Sequence, residues 1–148
     1  DLDGLTLVVV GPTGWREGLA AAIAPLGDRV VVTGPVDEAT KHAWFDAAEV
    51  FCFPSLLEGF GLPVLEAMGH GTPVVTSAGT ATEEVVGDAG LTVDPTDVDG
   101  LADAVRRVLG DSDLAARLGA AGRFRAATMT WAATAETTVG VYREVLGR

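Results

Sequence analysis

At 148 residues the chain is one domain's worth of protein, long enough to bury about 70% of its unfolded surface, and a hydrophobic share of 48% excludes a disordered polypeptide. Ten basic residues against 21 acidic ones give a net charge of −11, which argues against a nucleic-acid-binding face and against adsorption to an anionic membrane. A single cysteine, Cys52, excludes a disulfide framework and argues against a cysteine-based metal centre, and no segment approaches the ~20 apolar residues needed to span a bilayer.

The N-terminal DLDGLTLVVV has no basic stretch and no signal-peptide layout. It enters a strand almost at once, which predicts a cut inside a larger protein. LTLVVV (5–10) reads as a buried strand, followed by a helix over about 14–24 that stops before Pro25 and Gly27. VVVT (30–33) is a second strand and 38–48 a second helix. VFCF (50–53) is a third strand, with Cys52 as a small buried hydrophobe. A third helix starts at Leu62 and ends before Gly69, leading to PVVT (73–76), a short helix over 83–86 and a weak strand LTV (91–93).

These strands show no polar alternation, which is the pattern of a parallel sheet covered on both faces. Strand–helix alternation then implies an α/β fold, a Rossmann-like doubly wound parallel sheet. The chain ends in a run of helices. Val98, Leu101, Ala102, Val105, Val108 and Leu109 mark one helical face, with Thr96 and Asp99 as a capping box ahead of it. A helix over 112–127 follows. The last, from 131 to 146, has Thr130 as N-cap and a buried stripe of Trp131, Ala135, Thr138, Tyr142 and Val145. Without repeat or linker, residues 1–148 read as a single domain.

The segment EGFGLPVLE (58–66) carries the chemistry. Parallel sheets bind ligands beyond the carboxyl ends of their strands, and this loop follows VFCF at that rim. Pro63 suits the first turn of a helix. The first amides of that helix point toward the loop with the positive end of the dipole, which makes an anion site. Gly59 and Gly61 let backbone approach a ligand without an intervening Cβ. Glu58 precedes the anion site and Glu66 lies a turn deeper along the helix. A carboxylate accepts two hydrogen bonds, which suits a vicinal diol. A carboxylate on either side of a diphosphate cradle matches a nucleotide sugar: ribose, diphosphate, hexose.

The same segment matches the E-x7-E signature of retaining glycosyltransferases with the GT-B fold. With its surroundings, FPSLLEGFGLPVLEAMGHGTPVVTS and EEVVGDAGLTVDP, it resembles the C-terminal, donor-binding domain of glycosyltransferase family 4. The similarity runs from about residue 8 to 146, and GPTGW and VVVTGPV also resemble the family's strand–loop segments. The resemblance implies that Glu66 binds the ribose hydroxyls and that Glu58, the catalytic candidate, faces the donor hexose near its anomeric centre. It also implies that Gly59 and the backbone amides of Phe60, Gly61 and Leu62 hold hexose and diphosphate. Val36, after Gly34 and Pro35, falls where the family lines the nucleobase pocket with backbone. Glu83 and Glu84 replace the family's usual Pro-Glu, which puts the local loop shape in question.

The resemblance further implies a nucleoside-diphosphate sugar as substrate, no metal and no other cofactor, and an acceptor held by a separate N-terminal domain. The family's Arg and Lys, which stabilise the departing diphosphate, come from a first strand–loop–helix with no counterpart here. The missing strand would lie between those at 5–10 and 50–53. A cytoplasmic location follows, with any membrane contact left to the missing domain, and the fragment alone is expected to be inactive.

Other readings are weaker. A glycosidase pair works with carboxylates about 5–10 Å apart across a sugar and needs neither glycines nor a helix end. Two solvated glutamates are the bland alternative, and a non-catalytic nucleotide-binding or interaction module and a nucleotide-sugar epimerase of the same fold are the other functional ones. The D-x-D pairs Asp1/Asp3, Asp97/Asp99 and Asp111/Asp113 read as structural, two of them as helix starts. Gly11 and Gly14 lack the full dinucleotide fingerprint. His42 reads as a surface residue and His70 as a turn residue. Trp15, Trp44 and Trp131 read as packing residues, with Trp15 close to the crevice.

Overall fold

The computed structural model describes residues 4–12 and 18–147. Asp1, Asp3, Gly14 and Trp15 lie outside the described residues, as does most of the N-terminal half of the helix expected over 14–24. The chain divides into two compact units, Asp1–Trp44 and Phe45–Arg148.

In the first unit, β1 (Leu7–Val10) pairs in parallel with β2 (Val30–Gly34), Leu7 opposite Val30 and Val9 opposite Val32. Between them α1 (Leu19–Ile23) passes into a 3-10 turn over Ala24–Arg29, where Gly27 turns the chain with φ 55. The α-helix stops before Pro25 as expected, and a 3-10 turn follows it. No described residue of this unit is buried. The strands were expected to be buried, yet Val31 and Val32 are 41% and 43% exposed. The unit ends within α2 (Glu38–Ala47), whose start is capped by Asp37, its Oδ1 accepting from Thr40 N at 2.8 Å.

The second unit holds a parallel sheet in the order β3 (Phe51–Phe53), β4 (Val74–Ser77), β5 (Leu91–Val93). Phe51 lies opposite Val74, and Val75 opposite Leu91. Successive side chains of a strand point to opposite faces, and β4 shows it. Val74 packs with Phe45 and with α3 (Leu62–His70) and α4 (Ala81–Val86) through Val64, Met68, Val85 and Val86. Val75 packs with Ala104 and Val108 of α5 (Val98–Gly110) and Leu114 and Leu118 of α6 (Ser112–Thr128). Helices on both faces make β4 wholly buried. The expected Rossmann-like α/β class is the observed one.

Several local expectations change. The motif helix runs through Gly69 to His70 and ends at Gly71, in the left-handed region with φ 76. One glycine inside a helix with a buried face is tolerated; the glycine with positive φ is the one that stops it. The cap of α5 is Asp97, whose Oδ1 accepts from Gly100 N at 2.9 Å, while Thr96 bonds to Asp94 instead. Asp111 caps α6 in the same way. Val98 is exposed and Ala104, outside the expected stripe, is buried. Cys52 is exposed, although the protein around its sulfur raises the thiol pKa by desolvation.

The largest departure is α7 (Trp131–Val145). Thr130 caps it as expected, its Oγ1 accepting from Ala133 N at 3.1 Å. Its stripe is not buried: no residue of α7 is, and Trp131 is 80% exposed. Periodicity identifies a helix and an apolar face, but it does not supply the surface that covers that face.

Candidate functional site

The site is built where β3 hands over to α3. The strand ends at Phe53, residues 54–61 form the rim loop, and the helix begins at Leu62. Gly61 is the N-cap, with φ 98 and ψ 48. That conformation disfavours any side chain. Space excludes one independently, because a Cβ on Gly61 would lie 2.6 Å from Thr82 Cγ2. Gly59 faces no such constraint; its missing side chain would meet open space.

Pro63 occupies the first turn, where a proline's missing N–H costs nothing. The helix's own ladder opens with Val64 N and Leu65 N donating to Gly61 O, at 2.9 and 3.3 Å. The amides of Gly61 and Leu62 stand ahead of that ladder, at the positive end of the dipole. Leu62 and Phe60 are half exposed at this tip. The arrangement can receive an anion by backbone donors alone.

Glu58 is half-buried on the loop. Ser55 Oγ lies 3.2 Å from its Oε1 and 3.1 Å from Leu57 O, so the serine ties the carboxylate to the turn that carries it. The sequence reasoning missed Ser55; its spacing of three from Glu58 was the available signal. Glu66 is half-buried in the second turn of α3, about 6 Å farther along the axis than Leu62 at 1.5 Å per residue. Glu58, Gly59, Phe60, Gly61, Leu62 and Glu66 thus share one loop–helix junction. Gly34, with φ 67, and half-buried Val36 belong to the first unit, where Gly34 O accepts from Gly11 N at 3.0 Å.

Beneath the tip lies a set of hydroxyls that the sequence reasoning also missed. Thr76 Oγ1, at the end of β4, is 2.9 Å from both Phe53 O and Thr82 Oγ1. Thr80 Oγ1 is 2.8 Å from Thr82 Oγ1, and both lie 3.3 Å from Ser77 O. Thr82 is fully buried, so its methyl forms the floor against which Gly61 sits. Threonines at 76, 80 and 82 around a strand end were the sequence signal. Glu83, which replaces the proline of the resembled pattern, accepts from Gly79 N at 2.7 Å and braces this turn. His70 is the last residue of α3, not a turn residue, and its Nδ1 is 2.7 Å from Asp46 Oδ1.

No described helix is long and apolar enough to cross a membrane. Among the described residues no group of three or more His, Cys, Asp or Glu gathers as a metal site would require.

Residues 1–111 match the family model described as glycosyl transferases group 1. The chain is 36% identical to the O-antigen chain mannosyltransferase B of Escherichia coli, covering 93% of this chain and 37% of that protein. It is 40% identical to the MMP alpha-(1->4)-mannosyltransferase of Mycolicibacterium hassiacum, over 93% of this chain and 34% of that one. Among solved structures, sucrose-phosphate synthase from Thermosynechococcus elongatus superimposes with a TM-score of 0.83 at 34% identity, covering 96% of this chain and 39% of that chain. The chain therefore spans little more than a third of the length of these relatives.

Proposed function

Because the chain belongs to the group 1 glycosyl transferases, we propose that residues 58–66 form the donor site of a retaining, metal-independent glycosyltransferase. In the whole protein a hexosyl group would move from a nucleoside-diphosphate sugar to a hydroxyl acceptor held by another domain. The observation that carries this reading is the tip of α3. A left-handed glycine packed on Thr82 leaves the Gly61 and Leu62 amides ahead of the helical ladder, between two half-buried glutamates.

The roles are those that the family resemblance implies, set on that geometry. The tip carries roughly half a positive charge and receives the diphosphate. As the bond from the sugar's anomeric carbon to phosphate breaks, the diphosphate keeps the electron pair. Fixed donors aimed at that growing charge stabilise the transition state more than the ground state. The acceptor oxygen bonds to the same carbon from the face the phosphate leaves, and its proton passes to the departing phosphate oxygen. Glu58, tied by Ser55, orients the hexose through its hydroxyls. Glu66 holds the ribose diol. Positioning of this kind is worth several kcal/mol of barrier, up to about 7–11 in the best intramolecular cases.

The test uses the full-length protein with UDP-, GDP- and ADP-hexoses, following transfer to a hydroxyl acceptor by NMR with and without EDTA. The expected product keeps the anomeric configuration of the donor, and its rate is unchanged by the chelator. An inverted product, or activity lost to EDTA and restored by a divalent cation, contradicts the mechanism. Failure of all three nucleoside diphosphates to bind contradicts the donor site itself.

A further inference from the structure

The tip of α3 is placed by a helix, and a helix is placed by both its ends. At the other end of α3, Arg123 Nη1 of α6 donates to the carbonyl of His70, the last residue of α3, at 2.9 Å. Two residues along, Arg125 Nε and Nη2 donate to Val85 O and Glu84 O, in the last turn of α4, at 2.6 and 2.5 Å. Positions i and i+2 of a helix point to opposite sides, so one turn of α6 reaches two different helix ends. Each end presents carbonyls that its own helix leaves without donors. Each guanidinium also brings a positive charge to the negative end of a dipole.

Glycines make the approach close enough. A Cβ on Gly119 of α6 would overlap Gly71 O, and one on Gly71 would overlap the Arg123 guanidinium. A Cβ on Gly122 would sit 3.5 Å from the Met68 backbone. At their other ends the two clamped helices meet each other, where Gly61 of the α3 tip lies on Thr82 of α4.

We infer that Arg123 and Arg125 are positioning residues for the α3 tip: α6 fixes the spacing of the α3 and α4 C-termini, and thereby the placement of the amides at Gly61 and Leu62. This rests on the donor-site reading above. The nine residues of α3 make a lever of about 13 Å, so a tilt of about 10° at its base would move the tip by about 2 Å. Misplacement of about 1 Å can cost about 100-fold in rate. The buried stripe Val64, Ala67 and Met68 also holds α3, which limits what either arginine controls alone.

The experiment titrates UDP, GDP and ADP separately into the full-length protein by calorimetry, and measures donor KM and kcat for the nucleotide sugar that turns over. The variants are Arg123→Met, Arg125→Met, Arg123→Lys, Arg125→Lys and a control, Arg106→Met, whose partner is the exposed Asp103. Each methionine variant is expected to raise the Kd of the preferred nucleotide and the donor KM by about 3- to 10-fold, with acceptor KM unchanged. Lysine at 123 should restore binding, because one N–H reaches one carbonyl there. Lysine at 125 should not, because it lacks the rigid fork that spans two carbonyls.

If the methionine variants do not fold, the lysine pair decides. Arg123→Lys binding like wild type with Arg125→Lys weaker supports the inference, and equal binding by both overturns it. Methionine variants that fold and bind like wild type, or a control that weakens as much as they do, also overturn it while leaving the donor site standing. A wild type that binds none of the three nucleotides removes the donor site and this inference together.

Discussion

The two parallel sheets of this chain are built from the same kind of sequence and reach different burial. VVVT in β2 and VVTS in β4 are both runs of β-branched residues. Val31 and Val32 are more than two-fifths exposed, whereas Val74 and Val75 are fully buried. The difference lies in the cover. β4 has neighbours on both edges and helices on both faces, α3 and α4 on one and α5 and α6 on the other. β2 pairs with β1, and no described residue of that unit is buried. An apolar run therefore specifies a strand, but burial is a property of what packs upon it.

The largest test of that comparison is in the cores. Met68→Ala should cost about 2–5 kcal/mol, the range for emptying a packed site, while Val32→Ala should cost less than about 1 kcal/mol. Urea denaturation of each variant checks this, and equal losses would break the distinction. Next is the tip itself. Gly61→Ala combines a left-handed strain of about 1–2 kcal/mol with the overlap on Thr82, so stability and nucleotide binding should both fall. Gly59→Ala, facing open space, should leave stability unchanged within about 0.5 kcal/mol. A Gly61→Ala protein with wild-type melting and binding would remove the packing argument.

A smaller effect is expected at α7. Trp131→Ala should change the stability of this chain by less than about 0.5 kcal/mol, as for other exposed positions. A loss of several kcal/mol would restore the buried stripe that periodicity suggested. The smallest effect is electrostatic and compares the Asp37 cap of the first unit with the Asp94 turn of the second. The hydroxyl and amide of Thr40 hold the Asp37 carboxyl below its ordinary value of 3.8, and those of Thr96 do the same for Asp94. Both groups bind protons less readily folded than unfolded. Their contribution is full above about pH 4 and fades as the pH falls through their lowered folded values. An NMR titration of the two carboxyls should show both midpoints below 3.8, and a midpoint at or above it would contradict the hydrogen bonds from the threonine.

Much of this was legible in the sequence, for physical reasons. Strand and helix order follow from apolar runs and turn residues, which are local. The start of α3 was readable because Pro63, with its fixed φ and missing N–H, suits a first helical turn. Thr130 as a cap was readable because its hydroxyl can accept from an amide three residues on. What stayed hidden depends on contacts across the fold. The left-handed cap at Gly61 rests on Thr82, 21 residues later. The clamp from α6 joins Arg123 to a carbonyl 53 residues away. Exposure of Cys52 and of α7 depends on cover that no local pattern encodes.

The central proposal is that the tip of α3 receives a diphosphate and that Glu66 holds the ribose. Calorimetric titration of UDP, GDP and ADP into the full-length protein and its Glu66→Ala variant tests it most directly. The account predicts that wild type prefers one of the three and that the variant binds it about 10-fold or more weakly, the loss expected for a charged hydrogen-bond pair. A variant that binds the preferred nucleotide as tightly as wild type would contradict it.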